Sequence, residues 1–141
     1  MEKISFASGI REFSINGRGV LRFHPGDPNV YRRFAEAAEK IRKLEDSLMC
    51  REEDRAGVTQ ILWDADKELK KILRWVFGPE NDFDEILGGV NLLAVAENGN
   101  LVITNLLEAL APVLTEGAKR CVRAQVMQAR QQAESRRENQ V

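Results

Sequence analysis

Apolar and polar residues alternate near the start of the chain, in the stretch REFSINGRGVLRF. Phe13 and Ile15 each have polar neighbours, and so have Leu21 and Phe23. A period of two places such residues on one face of a β-strand, so the pattern predicts two strands. A third short strand is expected over Ile4–Phe6, ahead of the turn residues that follow it.

The turn between the two strands sets their register. Residues 16–18 include Asn-Gly, which accepts positive φ, and a three-residue loop there pairs Phe13 with Leu21 and Glu12 with Arg22. This register puts the apolar residues on one face and an ion pair on the other.

A helix is predicted directly after the hairpin. Asp27 is a good N-cap, and Pro28 loses no hydrogen bond at the first helical position. The apolar residues that follow recur at spacings of three and four: Val30, Phe34, Ala37, Ile41, Leu44 and Leu48. The helix is expected to run to about Arg55, with a break at Gly57.

A second helix with the same period is predicted after that break. Its apolar residues are Val58, Leu62, Ala65, Leu69, Ile72 and Val76. Gly78-Pro79 ends the helix, because proline cannot continue it. Two such helices joined by a short turn are expected to pack antiparallel.

A third helix is predicted to open with a capping box at Asp82 and Glu85. Its apolar face comprises Ile86, Leu87, Val90, Leu93 and Ala94. Gly88-Gly89 weakens it and Asn98-Gly99 ends it. Residues 92–104 are also compatible with a second hairpin; helix is preferred, because their apolar residues come in clustered pairs.

A fourth helix is predicted from about Val102 to the mid-130s, bent or broken near Pro112 and Gly117. Its first half is strongly apolar. Its second half keeps only a thin stripe: Ala118, Val122, Val126, Ala129 and Ala133. The fold class is therefore α+β and mostly helical, with an N-terminal hairpin or small antiparallel sheet followed by about four helices.

The length of 141 residues suggests one domain, expected over 1–118, with a hairpin region at 1–24 and a helical region at 28–118. Residues 119–141 form a basic tail, frayed at its end, with six basic and two acidic residues. Seven acidic residues and no basic one lie between Glu80 and Glu116. The net charge of −1 gives no overall attraction to nucleic acid or membrane.

No set of residues converges on a catalytic or metal site, and we expect no enzyme activity, no metal and no cofactor. His24 is interpreted as a turn residue, and Cys50 and Cys121 as free thiols. The acidic residues near Asp82 lack the calcium-loop pattern and suit helix capping. The absence of a long apolar run predicts no signal peptide and no membrane span, hence a cytoplasmic protein.

The basic tail is the one feature that suggests nucleic acid. The sequence pattern predicts that its arginines are spread around the helix rather than gathered on one face: Arg120, Arg123, Arg130, Arg136 and Arg137. No aromatic residue follows Phe83 to stack on bases. A small nucleic-acid-associated or other structural protein that uses this tail is the alternative function.

Two stretches resemble small proteins of long-tailed phages and prophages of Gram-positive bacteria: ISFASGIREFSINGRGVLRFHPGDPNVYRRF and NDFDEILGGVNLLAVAENGNLVITNLLEALAPVLTEGA. The chain is similar to the tail assembly chaperone class over roughly Ile4 to Lys119. His24 and Gly26 depart from the neutral turn residues of that class, and the basic tail does not align with it.

The resemblance implies a non-catalytic chaperone in the cytoplasm of the bacterial host. Such proteins coat the long, apolar tape measure protein before tail tube subunits polymerise around it, and they are often made in two lengths by frameshifting. The implied partners are the tape measure protein, with the tail tube protein and a second copy of the chain as further possibilities. The hypothetical contact residues are Leu93, Val102, Leu106, Leu107, Leu110, Val122 and Val126. The competing interpretation is that these residues are simply core.

Overall fold

A computed structural model describes residues 1–49 and 55–139 of the chain. A two-stranded antiparallel sheet comes first and four helices follow, which confirms the predicted α+β, mostly helical class. The elements are β1 (Arg11–Ile15), β2 (Gly19–Phe23), α1 (Pro28–Met49), α2 (Arg55–Phe77), α3 (Phe83–Ile86) and α4 (Val102–Glu138).

The hairpin has the predicted register. Phe13 pairs with Leu21, and Glu12 pairs with Arg22 at an ion-pair distance of 4.0 Å on the exposed face. The rings of Phe13 and Phe23 stack on the inner face, with centroids 5.2 Å apart. Because the loop and the alternation agree, the sequence specified this element well. The third strand predicted over Ile4–Phe6 is wrong: residues 1–10 form no strand.

The first two helices pack antiparallel, as predicted. The Arg33 Nε donates to the Val76 carbonyl at 3.1 Å, and the Lys40 ammonium lies 4.8 Å from the Trp75 ring centroid. The Asp27 carboxylate accepts from the Asn29 N–H at 2.9 Å and so caps α1.

The break predicted at Gly57 is wrong, because Gly57 lies inside α2. The predicted run of the first helix to about Arg55 covers residues 50–54, which lie outside the described residues. One glycine costs a helix only about 1 kcal/mol, which packing along the rest of α2 outweighs. Cys50 also falls outside the described residues.

One apolar core joins the hairpin to all four helices. Phe77 stands at its centre, with ring centroids 4.8 Å from Phe23 and 5.8 Å from Phe83. The buried core residues are Leu21, Phe23, Val30, Ala37, Ile41, Ala65, Leu69, Leu73, Val76, Phe77, Phe83, Ile86, Leu92, Ile103, Leu106, Leu110 and Leu114.

The predicted third helix is much shorter than expected. Asp82 caps it, accepting from the N–H groups of Asp84 and Glu85 at 3.0 and 3.4 Å. The helix then stops at Ile86, because Gly88 and Gly89 adopt positive φ values of 65° and 78°, which end a right-handed helix.

Residues 87–101 form an irregular segment, so the helix preferred for the first part of 92–104 is wrong. One isolated bridge pairs Val95 with Leu101, a trace of the hairpin alternative.

A charge cluster around the buried Lys70 side chain holds this segment against α2. The Lys70 Nζ donates to Asp66 at 2.9 Å, to Asp84 at 2.7 Å and to the Val90 carbonyl at 2.9 Å.

Helix α4 runs without the break predicted near Pro112 and Gly117. Pro112 removes the hydrogen bond to the Glu108 carbonyl, but Glu108 is exposed and water can take its place. Gly117 is buried against Pro25, where a Cβ atom would overlap the Pro25 carbonyl. This glycine allows close contact between α4 and the turn after β2. Within the described residues, no helix has the length and apolarity to cross a membrane.

Candidate partner-binding surface

The two halves of α4 lie in different surroundings. The first half packs on the core through Ile103, Leu106, Leu110 and Leu114. Every residue from 122 to 138 is exposed. At 1.5 Å per residue, this outer half extends about 25 Å. Such a helix has no packing partner within the described chain over that length.

Six of the seven predicted contact residues lie on the two halves of α4, and Leu93 lies in the irregular segment before it. Leu106 and Leu110 belong to the buried core, and Leu93, Val102 and Leu107 are half-buried against it. Val122 and Val126 remain 58% and 44% exposed. A partner can reach the two valines without rearranging the fold, so they are the accessible part of the predicted set.

An apolar groove leads to these valines. It lies between the start of α1 and the middle of α4 and has a volume of about 570 Å³. Tyr31 and Phe34 form one wall, and the α4 side comprises Ala111, Leu114, Thr115, Ala118, Lys119, Val122 and Arg123. Because a helix repeats every 3.6 residues, the stripe of Ala118, Val122, Val126, Ala129 and Ala133 continues the groove along α4. We call the groove and this stripe together the apolar track.

Basic residues line one side of the apolar track. Arg123, Arg130 and Arg137 are separated by seven residues, which is almost two full turns of a helix. The continuous helix therefore aligns them along one flank, with Lys119 at its start. The prediction that the arginines are spread around the helix is correct for Arg120 and Arg136 and wrong for this row. The opposite flank carries Gln125 and Gln132, with Arg136 beside Gln132 near the end of the helix, so most of the positive charge lies on one side of the track.

Tyr31 marks the inner end of the track. Burial raises the pKa of the Tyr31 hydroxyl, and a hydrogen bond between its side chain and Cys121 adds to the increase. The phenol is therefore neutral at physiological pH and offers a polar edge beside an apolar wall. Cys121 is a free thiol, as predicted.

Sequence reasoning did not identify the Tyr31 wall. The sequence pattern places Phe34 in the regular apolar stripe of α1 and leaves Tyr31 outside it. Tyr31 directly follows Val30, one position off that stripe, which was the available indication of a second partly apolar face.

The side chains along this surface were compared with the ligand clusters of metal sites. Among residues 1–49 and 55–139, no three His, Cys, Asp or Glu side chains cluster as metal ligands would. The His24 Nδ1 accepts from the Gly26 N–H at 3.1 Å, which is a turn contact. What the surface offers is shape, apolar area and a row of positive charges.

Comparison with known proteins adds no relative: the chain matches no protein-family model, no curated protein and no solved structure.

Proposed function

We propose that this protein is a non-catalytic phage tail assembly chaperone, which binds the tape measure protein and keeps it soluble until the tail tube forms. The observation that carries the proposal is the apolar track, an accessible apolar groove that continues onto a projecting helix. The resemblance of the two sequence stretches supplies the identity of the client.

The shape of the apolar track suits a helical client. An amphipathic helix uses residues spaced by three and four, and the track presents Val122, Val126, Ala129 and Ala133 at the same spacing. The small alanines let a second helix approach closely at the outer end. Tyr31 and Phe34 provide a wider, aromatic pocket at the inner end, where a large apolar side chain of the client fits.

The arginine row specifies the client further. A helix that lies on the track meets Arg123, Arg130 and Arg137 along one of its own flanks. Carboxylates at seven-residue spacing on that flank are the favourable partners, as at the flanking positions of coiled coils. We therefore propose that the bound tape measure segments are amphipathic helices with acidic residues beside an apolar seam.

Co-expression tests this function directly. The chain is produced together with the tape measure protein of the same phage or prophage genome, and the soluble tape measure protein is measured after centrifugation and by affinity capture. Val122→Asp with Val126→Asp places two charges on the track, and both positions are exposed, so folding should be retained. The client should then precipitate.

The matched control is Ala124→Asp with Gln131→Asp. These exposed positions lie on the opposite side of the same helix, so the added charge is equal and the track is untouched. The control should solubilise the client as the unmodified chain does. A folded track variant that still keeps the tape measure protein soluble would refute the proposal.

The arginine row also favours a second candidate function, binding of nucleic acid through the outer half of α4. Phosphate contacts by three arginines would give an affinity that falls steeply with salt. Replacing Arg123, Arg130 and Arg137 by glutamine would abolish such binding, measured by fluorescence anisotropy with a single-stranded and a duplex oligonucleotide. Binding of an apolar helix would lose only part of its affinity.

A further inference from the structure

Residues 1–10, which we call the arm, precede β1 and form no hydrogen bond with the other described residues, although Gly9 at the base of the arm lies against the His24 ring. Ile4 and Phe6 are 91% and 83% exposed, although both are large and apolar. They lie two positions apart, so an extended chain presents them on the same face. Lys3 and Ser5 then face the other side. The arm has the pattern of a β-strand but pairs with no strand in the part of the chain that the structure describes.

The hairpin has one covered edge and one open edge. The Asn81 side chain covers β2, because its Oδ1 accepts from the Arg22 N–H and its Nδ2 donates to the Arg22 carbonyl, both at 2.9 Å. The backbone groups of Arg22 therefore point away from β1. Glu12 is paired with Arg22, and in an antiparallel pair the backbone groups of two opposite residues both point outward or both point inward. The N–H and carbonyl groups of Glu12 therefore point outward on the other edge, and so do the N–H and carbonyl groups of Ser14, two positions further along β1.

The outward groups of Glu12 and Ser14 have no hydrogen-bond partner within residues 1–49 and 55–139. Both residues are exposed. An unpaired strand edge of this kind is a template for another strand. A two-stranded sheet is also only marginally stable by itself, so an additional strand would strengthen it.

An apolar groove runs beside this open edge. Its volume is about 530 Å³, and it separates β1 from α4. Phe13 and Ile15 form one side, and Val102, Leu106 and Leu110 form much of the other. A strand added to β1 would therefore find backbone partners at the edge and an apolar floor for every second side chain.

The arm does not fill this groove in its own chain. Gly9 lies against the His24 ring, beyond the open end of the hairpin, so the arm continues past β2 instead of turning back along β1. The full exposure of Ile4 and Phe6 agrees with that path.

We propose that the arm of a second copy of this chain adds to the β1 edge as a third strand, with Ile4 and Phe6 in the groove. Lys3 would then lie on the outer face, where Glu12 supplies an opposite charge. If two copies exchange arms, four large apolar side chains are buried. At about 150 Å² each, with as much again from the surfaces that receive them, the interface reaches about 1,200 Å², the lower limit for a specific dimer.

The oligomeric state tests the proposal, independently of any function in tail assembly. Size-exclusion chromatography with light scattering should find a dimer or a larger ring for the unmodified chain. Ile4→Asp with Phe6→Asp should give a monomer with an unchanged far-UV circular dichroism spectrum, because the arm lies outside the core. The matched control, Ser5→Asp with Ala7→Asp, adds the same charge on the opposite face of the arm and should keep the oligomer.

A second variant tests the receiving edge. Ser14→Pro removes the outward N–H of β1, which the hairpin does not use, and should also give a monomer. An unmodified chain that is monomeric at its highest soluble concentration overturns the proposal. So does an oligomer that persists in the Ile4 and Phe6 variant, or one that is indifferent to Ser14→Pro in a chain that remains folded.

Discussion

Replacing Lys70 by methionine tests the buried charge cluster that fastens the irregular segment to α2. Lys70 is only 9% exposed, and its ammonium binds Asp66, Asp84 and the Val90 carbonyl. The second oxygen of Asp66 accepts from the Leu92 N–H at 2.8 Å. Methionine fills a similar volume but leaves a buried carboxylate and a carbonyl without their cation.

The expected loss of unfolding free energy is about 2–4 kcal/mol. Removing one partner of a buried ion pair costs about 3–5 kcal/mol, because the other charge is left uncompensated. Two features reduce this figure here. Asp66 keeps its bond from Leu92, and the Asp84 side chain is 68% exposed, so water screens that charge. The expected loss of about 2–4 kcal/mol is still a large part of the free energy of unfolding of a small domain.

Urea denaturation followed by tryptophan fluorescence and far-UV circular dichroism measures the loss. Lys71→Met is the matched control, because Lys71 is the exposed neighbour on the same helix and should change stability by less than about 0.5 kcal/mol. If Lys70→Met and Lys71→Met unfold at the same urea concentration, the cluster does not hold the segment and the reasoning is refuted.

The same cluster predicts how the stability difference between the unmodified chain and Lys70→Met depends on pH. The hydrogen bond and charge of Lys70 lower the pKa of Asp84, so this contribution is present above the unfolded pKa of about 3.9 and disappears as pH falls through the lower folded value. Burial opposes the charge of Lys70, but the bonds to Asp84 and Asp66 outweigh it and raise the pKa of Lys70. The stability that comes from the raised pKa of Lys70 is present below about pH 10.4, the unfolded pKa of lysine, and disappears as pH rises through the higher folded pKa. The stability difference from Lys70→Met should therefore be flat between about pH 5 and 10 and shrink on both sides.

Two further substitutions test close contacts around the hairpin. Gly117→Ala should destabilise by about 1–3 kcal/mol in thermal unfolding, although alanine favours helix, because its Cβ overlaps the Pro25 carbonyl; Glu116→Ala, at an exposed position, should not. Asn81→Ala should cost about 2–3 kcal/mol in urea unfolding, since it leaves the Arg22 backbone groups without partners, and stability equal to the unmodified chain would contradict that role.

The sequence predicted the hairpin and the α1–α2 pair correctly, because in each of them the conformation depends on a pattern of neighbouring residues. The hairpin register followed from a two-residue period and a loop that accepts positive φ at Asn16 and Gly17. The antiparallel pair of α1 and α2 followed from two matching apolar stripes. In each case neighbouring residues contained all the information that the structure uses.

Predictions failed where distant contacts decide the local structure. The segment after Ile86 contains enough apolar residues for a helix, but its conformation depends on bonds to Lys70 and Asp66 on α2, which no local window contains. Gly117 indicated a break in α4, yet its absence of a side chain serves the contact with Pro25 from the turn after β2. A residue that weakens a helix locally can be required by tertiary packing.

The sequence predicted which apolar residues form the stripe of the candidate surface, but it did not predict how the other residues of that surface are arranged around the stripe. The thin stripe from Ala118 to Ala133 was evident as a period in the sequence. The alignment of Arg123, Arg130 and Arg137 required a helix with no break, and the wall formed by Tyr31 required knowledge of how α1 meets α4.

The continuity of α4 links the fold to the proposed function. The outer half of the helix gains nothing from the core, and an isolated helix of that length is marginal in water. The inner half supplies the nucleus, since Leu106, Leu110 and Leu114 hold its turns in place and the outer turns need only propagate from them. The outer turns are rich in alanine, glutamine and arginine, which have high helix propensity, so extending the helix beyond the core costs little free energy. Val122 and Val126 remain exposed on these turns. A helix built in this way is ordered enough to present a continuous apolar track, and a client helix that binds there displaces no other described part of the chain.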